Sequence, residues 1–485
     1  MRKRYPVLYP AFGLAIFLGA GFHPAWAQSA PPSADKPWSA PVERSLQREL
    51  VAHPETPYAI DADKAYTLAE LIDLAQQHNP ETRASWEAAK VKAASLGIAR
   101  SALFPTLAAV VLAESERIAE LPGPNWGRAT EGLFIPVLHV DYLVFDFGER
   151  GGKIDEAKAN LLAANLSFND THRKLIFAVS SAYYRLLNAH GQREAAEISL
   201  KNAQAVEDDA KSRLDHGLAT KPDVLEATAS RAQAEYDLEA AIGAEAIAAG
   251  DLASAMGLPA QTAINVQEIH ELATPKEMAD TVDAEIDRAF AQRPELLAQV
   301  TRLRAANAAI KEAHSAFLPT LSLTGDGGLA RGYGEFDQYP RKYAEGEYWN
   351  ATLQLKWTLF DGTRREHELA AAHAEKREAE AEIGALRDQI SDEVWAAYTN
   401  MRTALRQQQA SEALLAASEQ SYDAARESYG YGVRNLLDVV QSQKALAQAR
   451  SEDVSARAQV LLQVANLAFR TGDLVSIPPP AKGTP

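Results

Sequence analysis

The sequence predicts an α+β membrane protein made of two tandem copies of one unit, with long antiparallel coiled-coil helices and four transmembrane β-strands per chain. Three observations predict it. Landmarks recur at one displacement over most of the chain, helix-forming stretches reach about 69 residues, and strand-like stretches alternate apolar and polar residues.

The displacement is 214 or 215 residues throughout. Asn79-Pro80-Glu81 and Phe104-Pro105-Thr106-Leu107 return as Arg293-Pro294-Glu295 and Leu318-Pro319-Thr320-Leu321. Val144-Phe145-Asp146 returns as Leu359-Phe360-Asp361, Gly217 and Asp223 as Gly432 and Asp438, and Leu252 and Gly257 as Leu467 and Gly472. Order and spacing held over that length mark a duplication, residues 67–271 followed by 284–475, with a linker at 272–283.

The chain opens with Met1-Arg2-Lys3-Arg4, an apolar run over 11–22 and Ala25-Trp26-Ala27. That is the pattern of a cleaved secretory signal peptide over 1–27. The run is too short to span a bilayer as a helix. Residues 28–66 carry prolines at 31, 32, 37, 41, 54 and 57 and read as an extended lead-in, and 476–485 as a tail. There is no cysteine, so neither a disulfide nor a lipidated N-terminal Cys is available. The net charge of −16 becomes about −19 once the three cations of the signal are removed, a poor match to nucleic acid.

Each copy begins helically, over 67–103 and 284–316, and Thr67 with Glu70 predicts a capping box. Pro105 and Pro319 end these helices and start extended segments. Strands are expected at 106–118 and 133–147, then 319–333 and 347–361, with loops at 119–132 and 333–346. Long helices follow to about His216 and to residue 430. A glycine break ends each, and return helices run to about Met256 and over 436–471. Glycine is costly inside a helix and cheap in a turn, so both breaks predict tight reversals. A helix of about 69 residues measures ~100 Å, and the shorter helices of each copy match it in summed length. That matching suggests a long palisade, with Leu175, Val179, Ala182, Leu186 and Ala189 at coiled-coil spacing, a seam that an ordinary helical bundle core would share.

The strands decide the environment. Trp349, Ala351, Leu353, Leu355, Trp357 and Leu359 alternate with Asn350, Thr352, Gln354, Lys356 and Thr358. Leu321, Leu323 and Leu329 oppose Thr320, Ser322, Thr324 and Asp326; Phe134, Pro136, Leu138, Val140, Tyr142 and Val144 oppose His139 and Asp141. Such strands fit an outer-membrane barrel wall, although a soluble sheet packed on helices has the same period. Four strands cannot close a barrel and lipid tolerates no open edge, so several copies must share one barrel, as a dimer or a trimer.

These doubled motifs carry a resemblance. The order helix–strand–strand–helix–helix, the two Pro-Thr-Leu strand entries, Phe145-Asp146 and Phe360-Asp361-Gly362 at the strand exits, and the paired Gly-x5-Asp hairpins resemble the TolC family of outer-membrane efflux proteins. The resemblance implies a homotrimer whose twelve strands form a barrel in outer-membrane lipid, continued by a twelve-helix α-barrel tunnel across the periplasm. It implies a passive exit duct for efflux or type I secretion, joined at the hairpin tips to a periplasmic membrane fusion (adaptor) protein and an inner-membrane pump. By the same match Gly217, Leu218, Gly432 and Val433 are the docking tip, and Asp438 lines a constriction behind it. Tyr429 would reach Asp223, and Arg434 the backbone near Pro222, to latch the closed state. Gln441 replaces a second family aspartate, which implies one carboxylate ring instead of two.

No enzymatic constellation is present. The eleven histidines are scattered, and Glu366-His367-Glu368 with His373 read as a solvated helix face, so no metal or cofactor is expected. Asp223 and Asp438 also stand where a carboxylate favours a helix N-terminus whatever else it does. The other reading of the chain is a structural periplasmic coiled-coil protein without a channel.

Overall fold

The structure, a computed structural model, describes residues 64–120, 127–267, 281–336 and 339–474, together with Arg48, Tyr58, Ile60, Asp61, Ile269, Leu272, Ala273, Thr274, Pro275, Glu277 and Met278. The expected signal peptide, most of the lead-in and the C-terminal tail lie outside these residues. From Tyr58 onward the chain forms one unit.

The helical start of each copy is two helices where one was expected. In the first, α1 (Leu68–His78) and α2 (Pro80–Ser101) meet at Asn79, whose φ and ψ of −68° and 129° are extended. Pro80 lacks an N–H and forces the preceding residue out of the helical region. Asn79 Oδ1 then accepts from the Glu81 N–H at 2.7 Å and starts the second helix. The capping box at the head of α1 is formed, with Thr67 N–H donating to Glu70 Oε2 at 3.0 Å.

Two strands follow, β2 (Thr106–Glu120) and β3 (Gly127–Phe145), after β1 (Ala65–Tyr66) at the start of the unit. The long helix α3 (Glu149–Asp215) and its return α4 (Lys221–Ala255) complete the first copy. β4 (Asn265–Val266) pairs in parallel with β1. The second copy repeats the set as α5 (Val282–Gln292), α6 (Pro294–Ser315), β5 (Thr320–Phe336), β6 (Tyr339–Lys356), α7 (Arg364–Gly430) and α8 (Leu436–Thr471). Arg293, at φ −68° and ψ 117°, breaks α5 from α6 as Asn79 breaks α1 from α2.

The two long helices have 67 residues each, a length of ~100 Å. Helices of 11, 22 and 35 residues line α3 from its own copy. From the other copy, α6 and α8 pack on it too, which makes α3 the axis of the unit. The expected seam Leu175, Val179, Ala182, Leu186 and Ala189 is buried along it. Around its middle, Leu71, Leu187, Leu252, Met256 and Leu461 share a core with Ile264 and Ile269 of the connecting segment. No helix among the described residues is long and apolar enough to cross a membrane.

The four long strands form one antiparallel sheet in the order β2-β3-β5-β6. They run further than expected at one end, so most of 119–132 and 333–346 is strand rather than loop. Cross-strand pairs extend them: Arg331 with Glu345 at 3.3 Å, Arg341 with Glu335 at 3.0 Å, and the rings of Tyr333 and Tyr343. Gly132 leaves room for the Tyr333 ring to cross β3 and reach Ser115 Oγ at 3.1 Å. At the other end the strands stop at Phe145 and Lys356, short of the expected 147 and 361.

The alternation read in the sequence separates the two faces. Leu107, Val111, Leu138, Leu353 and Leu355 lie bare on one face, with Trp349 77% exposed. No helix among the described residues covers this face, which sets it apart from a soluble sheet packed on helices. The opposite face carries the polar residues, bonded across strands beside an apolar start of β2 at Val110 and Leu112: His139 Nδ1 lies 2.7 Å from Asp326 Oδ1, and Asn350 Nδ2 donates to Asp326 Oδ2 at 2.8 Å.

Strand passes to long helix through two successive left-handed residues in each copy. They are Phe147 and Gly148 at φ +50° and +106°, and Gly362 and Thr363 at +74° and +68°. An Asp-x3-Arg pair clamps each corner. Arg150 Nε donates to Asp146 at 2.9 Å and its guanidinium to the Ala102 carbonyl that ends α2. Arg365 repeats this with Asp361 at 2.8 Å and the Ala316 carbonyl. Each arginine thereby satisfies an orphan carbonyl at a helix C-terminus.

Candidate functional site at the hairpin tips

At the end of the unit remote from the sheet, α3 turns into α4 and α7 into α8 by the same geometry. Gly217 and Gly432 have φ of +73° and +74°. The N–H of Leu218 donates to the Arg213 carbonyl at 2.7 Å, and that of Val433 to the Ser428 carbonyl at 2.9 Å. This six-to-one bond, with a left-handed glycine before it, closes both helix ends as Schellman motifs. Only glycine adopts that φ without strain. Leu218 and Val433 stand out at the apices, 74% and 79% exposed, flanked by exposed Tyr431, Leu225 and Leu437.

The returning helices start from matching caps. Thr220 and Asp223 form a capping box, in which the Thr220 N–H and hydroxyl both donate to Asp223 Oδ2 at 2.7 Å. The Thr220 N–H, followed by the hydroxyl, holds the Asp223 carboxyl below the usual aspartate range. Asn435 caps α8 by accepting from the Asp438 N–H at 2.9 Å. The carboxylate of Asp438 is partly exposed and makes no side-chain bond among the described residues.

Behind the apices the two hairpins share a core of Val206, Ala210, Ala227, Tyr422, Leu436, Val439 and Val440. Tyr429 is buried in it, 8% exposed. Burial pushes its hydroxyl above the usual tyrosine range. The expected bond from Tyr429 to Asp223 is not formed in this conformation, because the Asp223 carboxylate is engaged in its own helix cap. Arg434 is exposed on the turn, and its backbone N–H meets the Ser428 carbonyl at 3.4 Å, with no side-chain partner among the described residues.

The contact that does join the hairpins comes from a residue that the sequence reading missed. Arg213 lies over the Tyr429 ring, 4.3 Å from its centre, and donates to the Gly430 carbonyl at 2.9 Å. Its Nε stands 3.3 Å from Asp209. Position 213 corresponds in the duplication to Ser428 and position 214 to Tyr429, so each hairpin carries only half of the contact. That asymmetry hides it from a comparison of the copies. Arg150 and Arg365 were missed as well, although Asp146-x3-Arg150 and Asp361-x3-Arg365 recur at the displacement of 215 and that repeat could have marked them.

Comparison with known proteins agrees with this geometry. The model of the family described as outer membrane efflux protein matches twice, over residues 71–258 and 286–473, again displaced by 215. Protein CyaE of Bordetella pertussis is 28% identical over 470 residues, covering 95% of this chain and 94% of its own length. Outer membrane protein OprJ of Pseudomonas aeruginosa is 26% identical over 444 residues, covering 90% of each. The crystal structure of a membrane protein from Pseudomonas aeruginosa superposes with a TM-score of 0.73 at 24% identity, covering 86% of this chain and 98% of that one. With one match to each copy and most of the sequence covered, the chain belongs to the outer membrane efflux protein family.

Proposed function

We propose that this protein is the outer-membrane exit duct of a tripartite efflux or type I secretion machine, a passive channel gated at its periplasmic tip. The observation that carries the reading is the sheet. Its apolar face is bare, its polar residues are bonded to one another across strands, and the outer edges of β2 and β6 are unpaired among the described residues. Lipid satisfies the bare face and pairing between copies satisfies the edges, since an open edge is not tolerated in a bilayer. Three copies give a closed barrel of twelve strands, with the ~100 Å helices continuing it as a tunnel into the periplasm.

In this reading the apices with Gly217, Leu218, Gly432 and Val433 dock the adaptor protein, which connects the duct to the inner-membrane pump. Asp438 lines the aperture behind them, and Tyr429, Arg434 and Asp223 belong to the gate. The polar interior of the sheet passes hydrated solutes, and the driving energy comes from the pump. The test is purification from the outer-membrane fraction followed by planar-bilayer recording. Heat-resistant trimers with discrete single-channel steps are expected; a monomer that stays soluble without detergent and never conducts would refute the duct.

A further inference from the structure

We infer that Arg213 is the positioning residue that clasps the second hairpin to the first and so sets the state of the tip, acting through the face of the Tyr429 ring and the end of α7. The inference rests on the tip being the gated end of the duct.

Three interactions of Arg213 converge on one side of the hairpin interface. Its guanidinium lies 4.3 Å from the Tyr429 ring centre, a stacking distance for a cation on an aromatic face. It donates at 2.9 Å to the carbonyl of Gly430, the last residue of α7, where the carbonyls have no intrahelical partner and the helix dipole favours a cation. Asp209, one turn back on α3, adds a half-exposed ion pair, its carboxylate 3.3 Å from Nε without a hydrogen bond. The Arg213 side chain is 19% exposed and the Tyr429 ring beneath it is buried, whereas the Gly430 carbonyl and the Asp209 carboxylate remain open to water.

The alternatives at the same interface are weaker. Asp223 spends its carboxylate on the Thr220 N–H and hydroxyl. Arg434 reaches nothing beyond its own turn. The remaining contacts between the hairpins at this level are apolar, through Val206, Ala210, Leu436 and Val440, and such packing tolerates sliding. A bond to one carbonyl combined with a stack on one ring has a single geometry. When α7 and α8 swing away from α3, both are lost together, so the clasp favours one discrete arrangement.

Hydrogen exchange at the end of α7 in the purified full-length protein tests the clasp without requiring conduction. Arg213→Ala and Tyr429→Leu are expected to speed exchange of the last-turn amides of α7 by roughly tenfold or more, from the loss of a charge-assisted bond and a buried cation–ring contact. Mid-α3 amides serve as the control for global folding. Arg213→Lys keeps the charge but not the planar stack and should lie between the wild type and Arg213→Ala. Tyr429→Phe keeps the ring and should retain most of the protection. Exchange at the wild-type rate in Arg213→Ala, or equally fast exchange in Tyr429→Phe and Tyr429→Leu, would overturn the clasp. The second outcome would return the hold to the hydroxyl. Bilayer recording separates the two levels of the argument: a silent wild type refutes the duct, whereas a conducting wild type with unaltered exchange in Arg213→Ala refutes the clasp alone.

Discussion

Arg173 lies over the ring of Phe469, 4.3 Å from its centre, and donates to the Phe469 carbonyl at 2.6 Å. It belongs to α3 of the first copy and its partner to α8 of the second, so one fully buried arginine ties the two copies together near the middle of the palisade. It also holds Asp170 at 2.7 Å and pairs with Glu295. Burial pushes the Glu295 carboxyl up despite Arg173 and Arg293. For Asp170 burial also acts upward, but Lys174 and Arg173 outweigh it and hold the carboxyl down.

Removing this arginine leaves the buried Asp170 beside the partly buried Glu295, with only Lys174 and Arg293 to offset them. Arg173→Met is expected to destabilise the protein by about 3–5 kcal/mol, the usual effect of breaking one side of a buried charge cluster. Thermal unfolding of the detergent-solubilised protein checks it, and a change below 1 kcal/mol would show that the carboxylates find water instead.

Gly217 and Gly432 combine left-handed φ with open space, since an added Cβ at either would meet no atom within 4 Å. Alanine at either should therefore cost about 1–2 kcal/mol from the backbone alone. Asparagine should be milder because it tolerates that conformation. Local exchange at each turn measures it; an alanine variant as protected as the wild type would remove the backbone argument for these glycines.

Asp223 gives the tip a pH dependence with a definite sign. Its carboxyl titrates lower in the folded chain than in the unfolded one, because the Thr220 N–H and hydroxyl favour the charged form. The cap therefore stabilises fully above the ordinary aspartate range and is lost as pH falls through the lowered value. In Asp223→Asn, exchange in the first turn of α4 should already be faster at neutral pH, and acid should accelerate it less than in the wild type. Equal acid acceleration in both would assign the effect to another group.

In the proposed duct Asp438 faces the aperture, and its carboxylate makes no side-chain bond among the described residues. Asp438→Ala should raise conductance and weaken block by divalent cations, whereas Gln441→Asp, which restores a second ring, should deepen block. Recordings with and without magnesium decide; unchanged block in Asp438→Ala would remove it from the constriction.

The bare face of the sheet makes a sharp contrast between neighbours. Leu353→Arg puts a charge into the lipid and should cost roughly 2–4 kcal/mol per copy near the bilayer centre. Gln354→Arg, on the polar face, should assemble normally. Heat-resistant trimers in the outer-membrane fraction report both; equal yields would mean that lipid does not face Leu353.

Much of this outer membrane efflux protein was legible beforehand, for reasons that are local and periodic. A displacement of 215 residues, a seam at coiled-coil spacing from Leu175 to Ala189, and strict alternation from Trp349 to Lys356 follow from residue order, because helices and strands present side chains at fixed periods. The capping box at Thr67 and Glu70 spans three residues and was equally visible. The breaks at Asn79 and Arg293 were missed although Pro80 and Pro294 marked them, because the helical pattern on both sides masked a one-residue interruption.

Residue order alone specifies the duplicated unit, its long helices, its two-faced strands and the glycine reversals at its end. Packing in three dimensions leaves the apolar face uncovered, joins the copies through Arg173, and gives Asp223 to its own helix cap while Arg213 stacks on Tyr429. Those are contacts between residues more than 100 positions apart, or choices among partners for one polar group. Pattern along a chain does not carry such choices; packing resolves them by what remains buried and unpaired.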